Sequence, residues 1–267
     1  MENEGYGSVI GNATAPYQNS LASSYALAAN YFAVSHPSLP NYLALIGGSN
    51  FGVTSDCLPA QCSLPSSTSS VAALLDAQKL TWREYAESMP ANCSQVDSTD
   101  GLYFPKHNPF VYFSAITGNN GTGSASAYCG SHVVSMSQFW LDLQAGALPS
   151  YSFITPNICD DAHSCPLATG DQWLSTVVPR IVGSSSFATT ALFIVYDEGG
   201  SKDTGGGGGQ VACILVSPLA KQGYVSRVAY THYSLLATVE AIFHLGSLGR
   251  EDQSANAMSD LFTNGFP

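Results

Sequence analysis

Along this chain, short apolar β-prone runs give way again and again to stretches with helical spacing. Pro16 to Ala29 has that spacing, with Leu21, Tyr25 and Ala28 inward, and Asn30 to Ser35 reads as a strand. His36-Pro37-Ser38-Leu39-Pro40-Asn41 then turns sharply into a helix from Tyr42 to Ile46 that Gly47-Gly48 stops. Val71 to Ala77 predicts a short helix, Leu80 to Tyr85 a strand, and His132 to Leu143 a helix with Val133, Met136, Trp140 and Leu143 on its core face. Tyr151 to Thr155 reads as a strand, and Gly170 to Ile181 as a helix with Asp171 at its N-cap. Ala191 to Tyr196 is the strongest strand. It has no polar alternation, so a central position buried on both faces is expected. Five glycines, Gly205 to Gly209, lead into a strand, Val211 to Val216, and not into the helix that a phosphate-cradling loop requires; they read as a mobile loop. A helix from Leu235 to Phe243 and a polar tail anchored by Met258, Leu261 and Phe262 end the chain. This alternation predicts an α/β fold, a mostly parallel central sheet with helices on both faces, as a single domain over residues 1–267.

Composition narrows the function classes. Hydrophobic residues make up 45% of the chain, enough for a large core, and charged residues only 10%. Eight basic residues against 19 acidic ones give a net charge of -11, which argues against nucleic acid or an anionic membrane surface as partner. A small phosphorylated substrate is compatible, because a bound cation reverses the sign locally. No apolar run reaches the ~20 residues of a membrane span, and no signal peptide is recognisable, so export would imply that this is the mature part. Seven cysteines include two close pairs, Cys57/Cys62 and Cys159/Cys165, and a long-range pair, Cys93/Cys129; Cys213 reads as a free buried thiol. Disulfides, and with them a secreted, extracellular or periplasmic location, are expected. Zinc is the other reading of such pairs, though neither close spacing is Cys-x-x-Cys.

Several positions carry candidate chemistry. Ser38 stands at the first turn of a helix, where unsatisfied N–H groups and the positive dipole end favour an anion or an alkoxide. A plain N-cap is the alternative. Asp197-Glu198 end the strongest strand, the place where α/β folds put their chemistry, and a burial-prone acid pair calls for a cation. Asp160-Asp161-Ala162-His163, between two cysteines, reads as a metal or phosphate loop or as a chance polar cluster. Glu2-Asn3 is a pair of hard-metal ligands or a frayed terminus. Locally, His107 reads as a solvated loop histidine, and His232 stands just before a helix.

Taken in order, Glu2-Asn3, His36-Pro37-Ser38-Leu39-Pro40-Asn41-Tyr42, Lys106-His107-Asn108-Pro109, Asp160-Asp161-Ala162-His163, Gly170-Asp171-x-Trp173-Leu174, Asp197-Glu198-Gly199-Gly200 and Thr231-His232-Tyr233-Ser234 form a set. The chain resembles, over nearly its whole length, the phosphoesterase family of acid phosphatases and phosphatidylcholine-type phospholipases C, within the alkaline-phosphatase-like superfamily. That resemblance implies an alkaline-phosphatase-like fold and one or two divalent metal ions of unspecified identity. Glu2, Asn3, Ser38, Asp197 and Glu198 would be the metal ligands, with Ser38 also the nucleophile that takes the phosphoryl group. Asn41 would touch a phosphate oxygen. His107, His163 and His232, with His36 and Asp161, would line the phosphate pocket, and His163 or His232 would protonate the leaving oxygen. In two-metal relatives, positions like Asp161, His163 and His232 hold the second ion.

Members usually place a hydrophobic strand directly ahead of the Glu-Asn pair, whereas here Met1 alone precedes it. Weakly anchored Glu2 and Asn3 are therefore expected. The leading expectation is a secreted metal-dependent phosphomonoesterase. A phosphodiesterase or phospholipase C is the second reading, with the aromatic 103–113 segment supplying an apolar groove. A non-catalytic extracellular binding module that has lost its metal is the third.

Overall fold

The computed structural model describes residues 1–266. Nine strands form in chain order: β1 (Ala26–Ala28), β2 (Tyr31–Phe32), β3 (Trp82–Ala86), β4 (Val133–Ser135), β5 (Tyr151–Thr155), β6 (Leu192–Val195), β7 (Cys213–Val216), β8 (Tyr224–Ser226) and β9 (Tyr230–Thr231). They assemble in the orders β6-β7-β1-β8, β4-β3-β5 and β2-β9. Four of the six pairings are parallel; the two antiparallel ones both involve β7. Helices cover the strands, as the alternating pattern predicts, and the fold is mixed α/β.

Several elements depart from their sequence reading for identifiable reasons. The first long helix is Pro16–Ser24, not Pro16 to Ala29. Ala26, Leu27 and Ala28 instead form β1, buried at every position between β7 and β8. Small apolar residues suit either state, and sheet burial decides here. His132 ends a helix that starts at Ala127, the β-branched Val133-Val134 pair goes into β4, and the next helix is Met136–Ala145. The strand after Asn30 stops at Phe32, because beyond it the backbone pairs with the glycine run: Ala33 N–H donates to the Gly209 carbonyl and Gly208 N–H to the Ala33 carbonyl. That run is packed, not free. A Cβ on Gly208 would run into the Ser35 carbonyl, and one on Gly207 into that of Val34. Asp171 does not cap its own helix, Leu167–Val182; its carboxylate accepts from the Tyr17 and Gln18 N–H groups and so caps Pro16–Ser24 across the fold.

The strand Ala191 to Tyr196 is also corrected. As β6 it lies at the rim of its sheet, antiparallel to β7, and only Ile194 of its four residues is fully buried. Its other side faces β5 across a cavity of about 600 Å³ lined largely by apolar residues, among them Phe153, Ile154, Leu174, Val178, Leu192 and Ile194. An apolar run signals burial of two faces but says nothing of whether both hydrogen-bonding edges are taken. At the top of this gap the Met1 amino group donates to the Val195 carbonyl and Asp197 N–H donates to the Met1 carbonyl.

The disulfides are Cys57–Cys62, Cys93–Cys129 and Cys159–Cys165, and Cys213 is free and buried in β7. No helix among the described residues is long and apolar enough to cross a membrane.

Candidate active site

The site gathers where the C-terminal ends of β5 and β6 meet the start of the helix Ser38–Gly47. Pro37 is the extended N-cap, Ser38 opens the first turn, and Gly48 in the left-handed region ends the helix. Ser38 Oγ lies 3.2 Å from Glu2 Oε2 and 3.5 Å from Glu198 Oε1, so a serine hydroxyl, an N-terminal acid and a strand-end acid converge. Tyr42, one turn on along the same helix face, donates its hydroxyl to Glu2 Oε1 and stacks on His107. Asn3 donates its backbone N–H to Asp197 Oδ1 at 3.1 Å, and Glu2 N–H donates to the Asp161 carbonyl at 2.8 Å. With the Met1 contacts, these tie Glu2 and Asn3 firmly in place; the weak anchoring expected from the sequence is not found.

A second group adjoins the first. His107 Nε2 is 3.4 Å from Glu2 Oε1, and Nδ1 is 3.2 Å from Asp161 Oδ2. Both contacts are misaligned for hydrogen bonding, leaving His107 Nε2 and Asp161 Oδ2 buried without a partner, as is Asp197 Oδ2. Glu2, His107 and His163 each offer a ligand atom within 4.8 Å of the others. His107 is buried and not the solvated loop histidine that its local sequence suggests. Its neighbours in sequence give a further correction: Tyr103, Phe110, Tyr112 and Phe113 are core residues, so the 103–113 segment supplies no apolar groove.

Crowding of acids sets the electrostatics. Burial, then the charges of Asp197 and Asp161, hold the Glu2 carboxyl well above the usual range. Burial and Asp197 push Glu198 up to about 7, and burial raises Asp161 to about 6. Burial, reinforced by the Lys106 ammonium, holds His107 well below the ordinary histidine value and also depresses His163. Buried carboxylates with orphaned oxygens beside neutral imidazoles are a donor set that suits a divalent cation.

Three residues expected at the phosphate are engaged elsewhere. Asn41 is fully buried; its Oδ1 accepts from Val34 and Ser35 N–H, and its Nδ2 donates to the Ser35 and Pro37 carbonyls. It holds the serine turn and has nothing left for a phosphate oxygen. His232 is also fully buried, with Nε2 donating to the Asp197 carbonyl and Nδ1 accepting from the Tyr31 hydroxyl. Burial lowers its pKa to about 4. Its ring thus links Tyr31 of β2 to the Asp197 carbonyl beyond the end of β6. His36 pairs with Glu198 Oε2 through Nδ1 and donates from Nε2 to the Asp203 carbonyl, each at 2.8 Å. Burial works against its charged ring, yet the Asp203 carbonyl and Glu198 outweigh it and hold its pKa above the usual value.

Sequence reasoning assigned no role to Tyr42, Lys106 or Asp56. Tyr42 was detectable from its i+4 spacing to Ser38. Asp56, in the loop before Cys57, accepts from Leu39 N–H and pairs with Lys106; no local signal marks it.

The family model described as "Phosphoesterase family" matches residues 10–246. A phosphate-repressible acid phosphatase of Penicillium chrysogenum is 34% identical over 246 residues, covering 89% of this chain and 57% of that protein. A phosphatidylinositol-3-phosphatase of Mycobacterium tuberculosis is 33% identical over 249 residues, covering 93% and 76%. The chain thus spans little more than half the length of the fungal relative. Among solved structures, a protein of the alkaline phosphatase superfamily from Vibrio parahaemolyticus superposes with a TM-score of 0.59 at 14% identity, covering 93% of this chain and 66% of that one. At that identity the likeness is one of fold.

Proposed function

This chain belongs to the Phosphoesterase family, and from that premise we propose that it hydrolyses phosphate monoesters, with Ser38 as the nucleophile and a phosphoserine intermediate. The observation that carries this reading is the placement of Ser38 Oγ against both Glu2 and Glu198. Glu2, Ser38, Asp197 and Glu198 would hold a divalent ion, with Asn3 beside them, and His107 and His163 offer donors next to Glu2. Bound there, such an ion lowers the hydroxyl pKa and offsets charge on the phosphoryl oxygens.

The chain's own residues do the remainder. Ser38 Oγ attacks phosphorus, and the positive end of its helix dipole faces the developing charge; Leu39 N–H is already taken by Asp56 and Pro40 has none. Tyr42 fixes the Glu2 carboxyl, while His36 fixes that of Glu198. His163, half-buried, accepts at Nε2 from the Lys106 ammonium and so serves as a neutral donor beside the cluster, while the leaving alcohol takes its proton from solvent. Water then cleaves the phosphoserine.

The three disulfides support a secreted protein working in an oxidising compartment. The diester reading loses its support with the burial of the 103–113 aromatics, and the convergence of acids favours an enzyme over a module that has lost its metal.

The test is turnover of para-nitrophenyl phosphate. Ser38→Ala is expected to lower kcat at least about a thousandfold, the scale of losing a covalent nucleophile. Chelation is expected to abolish turnover, and added divalent metal to restore it. Full activity in Ser38→Ala would exclude the mechanism.

A further inference from the structure

Lys106 stands on the turn Pro105–His107, immediately before His107. Its Nζ lies 3.1 Å from Asp56 Oδ2 and 3.2 Å from His163 Nε2. His163 Nδ1 lies 3.1 Å from Ser164 Oγ, and Nε2 is the nitrogen that meets the lysine. The other oxygen of Asp56 accepts from the N–H of Leu39, the residue after Ser38. The ammonium is therefore two contacts from the serine turn and one from the histidine beside Glu2.

Charge makes this position consequential. Four acids, Glu2, Asp161, Asp197 and Glu198, crowd the buried end of the site and would repel an approaching phosphate dianion. A divalent ion offsets only part of that. The field of Lys106 reaches inward: it adds to burial in depressing His107 and His163, and at Asp161 it works against the burial that raises the carboxyl. Its present partner is easily given up: both ends of the Lys106–Asp56 pair are partly open to water, where ion pairs contribute little.

Resting on the phosphatase reading above, we propose that Lys106 is a substrate-binding residue. It exchanges Asp56 for a non-bridging phosphoryl oxygen, and its charge tilts the site toward dianionic monoesters over monoanionic diesters. A point charge attracts a dianion about twice as strongly as a monoanion at the same distance. The selectivity thus follows from the charge of Lys106 and not from the shape of the pocket.

Inorganic phosphate is the probe, titrated calorimetrically into metal-loaded Ser38→Ala protein with and without Lys106→Met. Loss of a charge-assisted hydrogen bond is expected to weaken phosphate binding about ten- to a hundredfold. In the active enzyme, Lys106→Met should raise KM for a monoester by a similar factor with much less change in kcat, and should lower kcat/KM for a diester less. Lys106→Arg should recover most of the phosphate affinity. Asp56→Asn keeps an acceptor for Leu39 N–H but unpairs the lysine, so it should tighten phosphate binding. Unchanged phosphate affinity in a folded Lys106→Met protein overturns the proposal. If that variant fails to fold, phosphate binding by Asp56→Asn that is unchanged or weaker overturns it. Should the enzyme release no phosphate from any ester, the phosphatase reading falls, while the binding measurements on Ser38→Ala still decide the role of Lys106.

Discussion

Asn41 sits one turn from Ser38 on the same helix, and that spacing suggests a residue meant for the same ligand. All four of its hydrogen bonds instead close the 34–37 turn. Asn41→Ala is expected to cost about 2–4 kcal/mol, because it strands two backbone donors inside a closed turn. Urea unfolding measures that cost, and a loss under 1 kcal/mol would show that the turn holds itself. At this scale the sequence was legible where chemistry and backbone coincide. Ser38 between two prolines and Asp197-Glu198 at a strand end are readable because their neighbours dictate the local conformation. His232 was not readable, because what decides its role is Tyr31, 201 positions away, and the Asp197 carbonyl. A histidine shows what it can do but not whether its nitrogens are already engaged.

Elements were legible when one local signal had no rival. The helix Val71–Ala77 and the strand β5 stand where the pattern puts them. β1 and β4 were absorbed into neighbouring helices because three-residue strands carry too little periodicity to compete. The helix His232–Ile242 shows how an element's end can be pH-sensitive. Glu240, buried near that end beside Asp252, accepts from Leu248 N–H, and burial with the Asp252 charge raises its pKa to about 8. The folded state therefore binds this proton more tightly than the unfolded chain. Between pH 4.5 and 8 its contribution to stability falls as pH rises, and it is fully present only below that window. Glu240→Gln keeps the acceptor without the charge. Its melting temperature should match the parent near pH 4.5 and exceed it progressively toward pH 8. Parallel melting curves for the two proteins would refute this assignment.

For the whole molecule, cysteine pairing was a sound guide. The Cys93–Cys129 bridge joins positions 36 apart and removes chain entropy worth about 4 kcal/mol from the unfolded state. The open side of β6 was not visible in composition, since the same apolar run would serve a strand with two neighbours or with one. Its consequence lies in how the native protein handles greasy small molecules. A crevice of about 600 Å³ between β5 and β6 has the size and lining of a site for aromatic probes. Anilinonaphthalene sulfonate should brighten on the intact protein well below its melting point, with the near-ultraviolet dichroism of ordered aromatic packing undiminished. Absence of that glow at low temperature would mean that the crevice is closed in solution. Its presence means that dye-based melting assays start from a bright baseline, and that brightness alone cannot be taken as a sign of unfolding for this protein.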